Sequence, residues 1–522
     1  MLNHAAPPWL ARLAEAQALA AQARFDACLS TCQQIAVAHG DDPDALLSVG
    51  ALLSGFGFLA AAETCFQRGR EVAPHDLRPL VNLANLARDA GNHAEARRLY
   101  AGLRRQLPDH PTIRRNALIG LEYDADTPDT DRKAEAVAWG EWATAKAGGP
   151  HPRPPPRRVG NRPLRVGYVS ADFCQHTVGL FVKDVLRAHD PARVAAFAYG
   201  AGAVKDWVTE AIRLATRFRD VAALDDAALA ALIRQDEIDV LVDLSGHTGG
   251  SRLTVFAHRP APVQVAWLGY FATTGLTCLD AVLLDEWHVP PGTEAQFVEP
   301  IVRLPGGRFC YRPVPWAPAA VAPPPCLASG GISFGSFNNT AKLNGGVFDV
   351  WARVLAAVPG SRLVLKWRNF NDDALRRSVR DAFAQRGIDP DRIELRGPSF
   401  HAGLLAEYGD IDIALDPFPF TGGLTSCEAL WMGVPVVTWP QGRVVSRQGF
   451  SLLSAIGLAE LAARDADDYL RIAVELAADR ERLVALRVTM RERMRASVLM
   501  DVAGFTRRLE QGLLDLCRSV HE

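Results

Sequence analysis

The sequence predicts helix–turn–helix repeats followed by two doubly wound α/β halves. Three observations predict it: a 34-residue period near the N-terminus, β-branched apolar runs alternating with helical stretches from residue 164, and a proline-rich break at 311–331 after which the alternation restarts. The length of 522 residues agrees, since about three domains are expected at roughly 150 residues each. Charge is balanced, 57 Lys+Arg against 59 Asp+Glu, which speaks against a nucleic-acid partner or an acidic tail. No apolar run approaches the roughly 18 residues of a membrane span. Met1 to Arg12 lacks a basic stretch followed by an apolar one, so no secretory signal is expected. The nine cysteines form no CxxC pair, so neither a disulfide framework nor a zinc site is expected, and the implied compartment is cytoplasmic.

The repeats come first. Pro74 and Pro108 are 34 residues apart, as are Gly57 and Gly91, Ala62 and Ala96, and Phe66 and Tyr100. One period earlier the slots hold Ala23, Cys28 and Cys32. This is the length of the tetratricopeptide unit. The small residue lets two helices approach, the aromatic fills the groove beside it, and the glycine ends the first helix of the pair. Residues 1–125 are therefore read as tetratricopeptide-like repeats, two regular and one degenerate at about 10–43, with an unrelated helical bundle as the alternative. A stacked array has a concave face suited to an extended segment of a partner. The repeats are expected to dock a protein partner, and they hold none of the strand-end residues described below.

Residues 126–163 read as a polar helical segment and a Pro/Arg-rich linker. His151 to Arg165 holds five prolines, five arginines and no acid. Consecutive Pro154, Pro155 and Pro156 favour an extended, solvated spacer. In 164–325 the apolar runs Leu164–Ser170, Val194–Tyr199, Ile238–Leu244, Val263–Leu268 and Leu279–Asp285 read as strands of a covered parallel sheet. Helices are expected between them, as at Val178–Ala188 and Ala222–Gln235. In 326–522 the runs are Ile332–Phe337, Arg362–Trp367, Arg392–Arg396, Ile411–Leu415 and Val434–Trp439, before a helical tail from about Leu458 to Cys517. Such sheets bind ligands at strand C-terminal ends.

The chemistry-bearing residues fall at those ends. In Asp416–Glu428 (DPFPFTGGLTSCE) a strand ends, Gly422 and Gly423 free the backbone, and Leu424-Thr425-Ser426 opens a helix. A helix N-terminus draws anions through its N–H groups and dipole. Thr425 and Ser426 add hydroxyls, and Glu428 is placed to accept from a ribose diol. A plain helix start capped by Thr425 is the alternative. In Phe337–Lys342 (FNNTAK) a lysine follows a strand end, where its ammonium would neutralise a diphosphate; a surface lysine is the plainer alternative. In Ser170–His176 (SADFCQH) a histidine follows the first strand of the first half and suits a general base or a polar orienter. Asp243–Thr248 (DLSGHT) places a second strand-end histidine, His247, and Gln264–Gly275 a Gly/Thr-rich turn; all three loops are expected on one rim.

Three blocks together, LRVGYVSADFCQH (164–176), DLSGHTGGSRLTVFAHRPAPVQVAWLGY (243–270) and DPFPFTGGLTSCEALWMGVPVVT (416–438), resemble the catalytic region of the O-linked N-acetylglucosamine transferase family with its SPINDLY branch. The resemblance covers about 164 to 515 and includes repeats in front. It implies a GT-B fold, two Rossmann-like lobes, and inverting, metal-independent transfer of a sugar from a nucleotide donor to protein side chains, with no cofactor. It assigns His176 to the active-site histidine, Lys342 to the donor diphosphate, Asn339 to a donor-contacting position, Thr425 to the phosphate and Glu428 to the ribose. This chain departs from the pattern at Gly423, where a histidine is frequent, at Leu404, with His401 nearby, and at Phe271, where proline is usual.

The reading is thus an inverting transferase acting on Ser or Thr, with His176 and Lys342 catalytic, donor contacts at Asn339, Gly422, Gly423, Thr425, Ser426 and Glu428, and UDP-N-acetylglucosamine as first donor. Alternatives on the same fold are an N-glucosyltransferase and an O-fucosyl or nonulosonic-acid transferase. A non-catalytic repeat scaffold is the alternative of another class.

Overall fold

The computed structural model describes residues 7–156 and 162–521. Arg157 and Arg158 of the expected linker lie outside the described residues. In chain order the helices before the first sheet are α1 Pro8–Ala21, α2 Phe25–Ala38, α3 Pro43–Gly55, α4 Leu59–Val72, α5 Arg78–Asp89, α6 His93–Gln106, α7 Pro111–Tyr123 and α8 Asp129–Lys146. The strands are β1 Leu164–Ser170, β2 Val194–Gly200, β3 Arg217–Asp220, β4 Val240–Asp243, β5 Val263–Trp267, β6 Ala281–Leu284, β7 Ile301–Arg303, β8 Ser333–Ser336, β9 Arg362–Lys366, β10 Ile393–Arg396, β11 Ile413–Leu415 and β12 Val436–Val437. The chain forms two compact units. One runs to Ala125 and adds Pro318–Phe418 and Ala466–Arg487; the other comprises Asp126–Ala317, Pro419–Asp465 and the chain from Val488.

In the first unit the repeats are three helix pairs, α1/α2, α3/α4 and α5/α6, followed by α7. Proline stands in the first turn of α1, α3, α5 and α7, where its missing N–H costs nothing. Ala62 and Ala96 are buried with Phe66 and Tyr100, as the period required. Phe66 packs so closely on α3 that a Cβ at Gly50 would fall 2.5 Å from its ring. Gly57 and Gly91 follow the helix ends with φ of +85° and +81°.

The same unit holds parallel strands in the order β10-β9-β8-β11. Helix Gly345–Ala357 buries Trp351, whose Nε1 donates to Tyr469 Oη at 3.3 Å. Tyr469 in turn donates to the carbonyl of Asp416 at 3.1 Å, fixing the end of β11. The turns of the second and third repeats run against the loops that follow β9 and β8. A Cβ at Gly57 would meet Arg368 O at 2.1 Å, and one at Gly91 would meet Leu343 O at 2.7 Å. The repeats therefore touch the loop that carries Lys342.

The second unit is built on seven parallel strands in the order β3-β2-β1-β4-β5-β6-β7. The order reverses between β1 and β4, which makes their C-terminal ends the switch point where such sheets bind ligands. Strands β4, β5 and β6 are buried throughout, hence their continuous apolar runs. The edge strands β3 (RFRD) and β7 lack that signature and escaped the sequence reading. Helix α8, expected to be polar, buries Ala136, Trp139, Gly140 and Ala143. It lies so close to the Thr273–Leu276 turn that a Cβ at Gly140 would fall 1.9 Å from Gly275 O. The linker is also less free than a spacer: Arg153 pairs with Asp280 at 2.6 Å, Arg162 with Asp239 at 2.7 Å and Arg165 with Glu237 at 2.6 Å. Among the described residues no helix is long and apolar enough to cross a membrane.

Candidate functional site

At the switch point of the second unit, His176 ends the loop after β1 and stands at the N-cap of helix Thr177–Arg187. Its Nδ1 accepts from the Val178 N–H at 3.4 Å and lies 3.6 Å from Asp172 Oδ1. The imidazole is 49% exposed, whereas Asp172 is 16% exposed behind it. Burial raises the Asp172 carboxyl above its ordinary value, opposed by the charge of His176. The loop can turn this tightly because residue 179 is glycine; a Cβ there would sit 2.1 Å from Cys174 O.

Asp243, at the end of the adjacent β4, is fully buried. Burial first, against backbone N–H bonds from Gly246 and Ser245, and with the charge of Asp172 adding, pushes its carboxyl up to about 7. The Gly246 N–H reaches Oδ2 at 2.6 Å and the Ser245 N–H reaches Oδ1 at 3.3 Å. The three expected rim loops do gather here: a Cβ at Gly269 would meet Leu244 O at 1.9 Å, and one at Gly250 would meet the Ala171 Cβ at 2.7 Å. His247, however, does not face the rim. It is 1% exposed, its Nε2 lies 2.9 Å from Thr274 O, and its ring sits edge-on to Trp139 of α8 at 4.5 Å and to Tyr270 at 5.1 Å. It is a core histidine.

In the first unit, Lys342 follows β8 in a short 3-10 turn, Thr340–Lys342, capped by Asn339, whose Oδ1 accepts from the Ala341 N–H at 3.0 Å. Lys342 is buried rather than on the surface. Its Nζ donates to Asn338 Oδ1 at 2.9 Å. Burial lowers its pKa from 10.5 to about 8, against the pull of the Asp416 charge. A buried lysine at a strand end is a candidate anion site.

The Gly-rich segment belongs to the second unit from Pro419 onward. Helix Leu424–Trp431 starts after Gly423, which is its N-cap and has no side chain to cap it. Thr425, the expected alternative cap, instead lies inside the first turn, with Ser426 and Glu428 buried behind it. The Glu428 carboxylate faces Tyr311, whose phenol is driven well above its ordinary value by burial first and then by that charge. Gln448 was invisible in the sequence. It is 2% exposed, donates to Thr421 O at 3.1 Å and Val445 O at 3.3 Å, and leaves room at Gly423 only for hydrogen, since a Cβ would fall 2.9 Å from its Oε1. Phe271, one of the departures from the resembled pattern, meets Phe420 edge-on at 5.6 Å and lies under the Arg308 guanidinium at 5.1 Å. Leu404 and His401 lie on helix His401–Glu407 of the first unit, both half-buried. Among the described residues no group of three or more His, Cys, Asp or Glu is placed to hold a metal ion.

Residues 150–310 and 325–509 match the model of the family described as Glycosyl transferase family 41. The chain is 38% identical over 411 residues to the probable UDP-N-acetylglucosamine--peptide N-acetylglucosaminyltransferase SPINDLY of Petunia hybrida, covering 77% of this chain and 44% of that protein. It is 30% identical over 368 residues to the probable UDP-N-acetylglucosamine--peptide N-acetylglucosaminyltransferase SEC of Arabidopsis thaliana, covering 69% of this chain and 37% of that one. The chain thus spans less than half the length of these curated relatives. A solved structure, a mutant of the Thermobaculum terrenum O-GlcNAc transferase, matches with a TM-score of 0.88 and 33% identity over 98% of both chains. The fold class is therefore the expected one, tetratricopeptide repeats followed by a GT-B α/β region.

Proposed function

This chain belongs to glycosyl transferase family 41, and on that premise we propose that it is an inverting glycosyltransferase moving N-acetylglucosamine from UDP-N-acetylglucosamine to Ser or Thr of a protein acceptor. The observation that carries the reading is Lys342, a lysine kept buried at the end of β8 beside Asp416 and Asn338. Burying an ammonium is costly, and a fold keeps one where an anion must be met.

In this reading the acceptor hydroxyl oxygen bonds to the anomeric carbon from the face opposite the diphosphate. The bond from that carbon to the diphosphate oxygen breaks, and its electron pair leaves with UDP. Lys342 meets the charge that grows on the leaving group; the N–H groups that open helix Leu424–Trp431 are by themselves suited to an anion. Glu428 takes the ribose hydroxyls and Asn339 a further part of the donor. His176 receives the acceptor proton on Nε2 while Asp172 holds the Nδ1 side of the ring. No metal enters any of these steps. The repeats present the acceptor.

The test is incubation of the full chain with a panel of UDP- and GDP-sugars and a proteome-derived acceptor mixture, reading nucleotide release and the mass and site of modification. Release of UDP with N-acetylhexosamine on Ser or Thr is the expected result. Modification of Asn, or of Ser/Thr with another sugar, replaces the donor or acceptor assignment. No release with any donor overturns the reading and favours a non-catalytic scaffold.

A further inference from the structure

The contact between the repeats and the Lys342 loop is a built joint. Asp89 is the last residue of α5, and its carbonyl is one of the four that a helix C-terminus leaves without an intrahelical partner. It is satisfied from the loop after β8: Thr340 Oγ1 donates to it at 2.6 Å. Asn369, from the loop after β9, donates to the same carbonyl at 3.2 Å and to Thr340 Oγ1 at 2.7 Å. Thr340 is 0% and Asn369 2% exposed, so these bonds have no competing water. The preceding repeat repeats the device. Asn371 Nδ2 donates to the carbonyl of Phe56, which follows α3, at 2.9 Å. Asp372 accepts from the Ala60 N–H in the first turn of α4 at 2.7 Å and from the Leu375 N–H of its own helix at 2.9 Å, and so caps two helices at once.

The glycines point the same way. The turn itself does not demand glycine, because Ala23 occupies the equivalent slot of the first repeat at φ +58° and is exposed. Gly57 and Gly91 differ in what lies against them: backbone carbonyls of Arg368 and Leu343 occupy the places where a Cβ would go. Two of the three repeat turns are thus shaped to receive the strand-end loops, and the residue held most directly is two positions from Lys342.

Resting on the reading of Lys342 given above, we infer that Thr340 is a positioning residue, through which the carbonyl end of α5 sets the place of the Lys342 ammonium. The repeats then belong to the donor site as well as to acceptor docking. Loss of the Thr340 hydroxyl frees the 339–343 loop from Asp89 and leaves two buried polar groups, Asp89 O and Asn369 Nδ2, with a partner missing.

The experiment compares Thr340→Val and Thr340→Ser in the full chain by two readouts. One needs no turnover: the rate at which an amine-acylating reagent labels Lys342, read by mass spectrometry, with the buried Lys366 of the same unit as internal control. The other is kcat and acceptor KM for sugar transfer. Thr340→Val is expected to raise Lys342 labelling by roughly tenfold or more and to lower kcat by roughly 10- to 100-fold, the cost of an ångström-scale misplacement, with acceptor KM unchanged. Thr340→Ser, which keeps the donor, restores both. Unchanged labelling and kcat in Thr340→Val overturn the inference. So does an equal rise at Lys366, which marks a loosened fold, or a Ser variant as poor as the Val. Labelling that changes as expected in a protein without any transferase activity leaves the positioning role standing and refutes the proposed function instead.

Discussion

Lys342→Met separates the energetic cost of the buried ammonium from its use. The fall from 10.5 to about 8, at about 1.4 kcal/mol per tenfold, means that holding the charged form in the folded protein costs about 3 kcal/mol at neutral pH. Methionine fills nearly the same volume without the charge. Below pH 8 both folded and unfolded chains carry the proton and the full cost applies. Between 8 and 10.5 the folded protein has lost the proton that the unfolded chain keeps, so the cost fades as pH rises; above 10.5 neither holds it. Lys342→Met should therefore be more stable than the parent at pH 7, by an amount approaching about 3 kcal/mol, and the two should converge by about pH 10.5. Its kcat should fall by roughly 10²–10³, the usual loss for one contact to developing charge. In the parent, kcat/KM for the donor should decline as pH rises through about 8, since that ratio reports the free enzyme. The assays are urea unfolding at pH 7 and pH 10 and UDP release across pH. A variant no more stable at pH 7, with the same pH dependence as the parent, refutes the buried-charge argument; a variant with parental kcat removes Lys342 from the chemistry.

Three further outcomes are expected. Gly423→Ala should weaken UDP binding in calorimetry, because its Cβ would crowd Gln448 Oε1 at 2.9 Å; since φ there is an ordinary −107°, pairing it with Gln448→Ala should recover binding, and failure to recover puts the cause elsewhere. Asp172→Asn should lower kcat by roughly 10²-fold with donor affinity intact, as the ring loses the carboxylate 3.6 Å from Nδ1; a parental rate assigns Asp172 to folding alone. On the proposed mechanism transfer should persist in EDTA, because the Lys342 ammonium supplies the cation for the diphosphate; loss restored by Mg²⁺ or Mn²⁺ contradicts that mechanism.

What was legible followed from periodicity. The repeat helices and most central strands announce themselves because burial on one stripe, or on both faces, forces a regular apolar pattern. Edge strands carry no such demand: β3 is Arg-Phe-Arg-Asp and mostly exposed, and β7 is three half-buried residues. Helix α8 looked polar because its buried stripe is Ala, Gly and Ala around Trp139, which a count of charged residues hides. At the site, Lys342 and Gly423 stood out as strand-end and loop residues. Gln448 and Thr340 did not, since each bonds to a residue far off in sequence, Thr421 and Asp89; Asn338 lies within the FNNTAK run itself, but nothing in that run tells that its Oδ1 holds Lys342. His247 misled for the same reason: it has the strand-end position of a rim residue, but the ring that covers it comes from α8.

The groups behind β1 and β4 sort by depth, and the depth assigns their roles. Asp243 is innermost, 1% exposed, with both oxygens engaged by the Ser245 and Gly246 N–H groups. Burial first pushes its carboxyl up to about 7, with the charge of Asp172 adding, and at this depth its part is to shape the turn. Asp172 is next, and its Oδ2 is buried without a hydrogen-bond partner among the described residues, which leaves it reliant on the ring beside it. His176 alone is half exposed. While Nδ1 accepts from Val178, the neutral ring carries its proton on Nε2 and can only donate outward. To receive a proton on Nε2 the ring must instead place its hydrogen on Nδ1, facing Asp172. The 3.4 Å bond to Val178 is long enough to give up, and a carboxylate 3.6 Å away is the partner that favours the exchange. If His176 is the base, as proposed, the acid behind the histidine selects the tautomer that makes it one, and it also stabilises the imidazolium that follows.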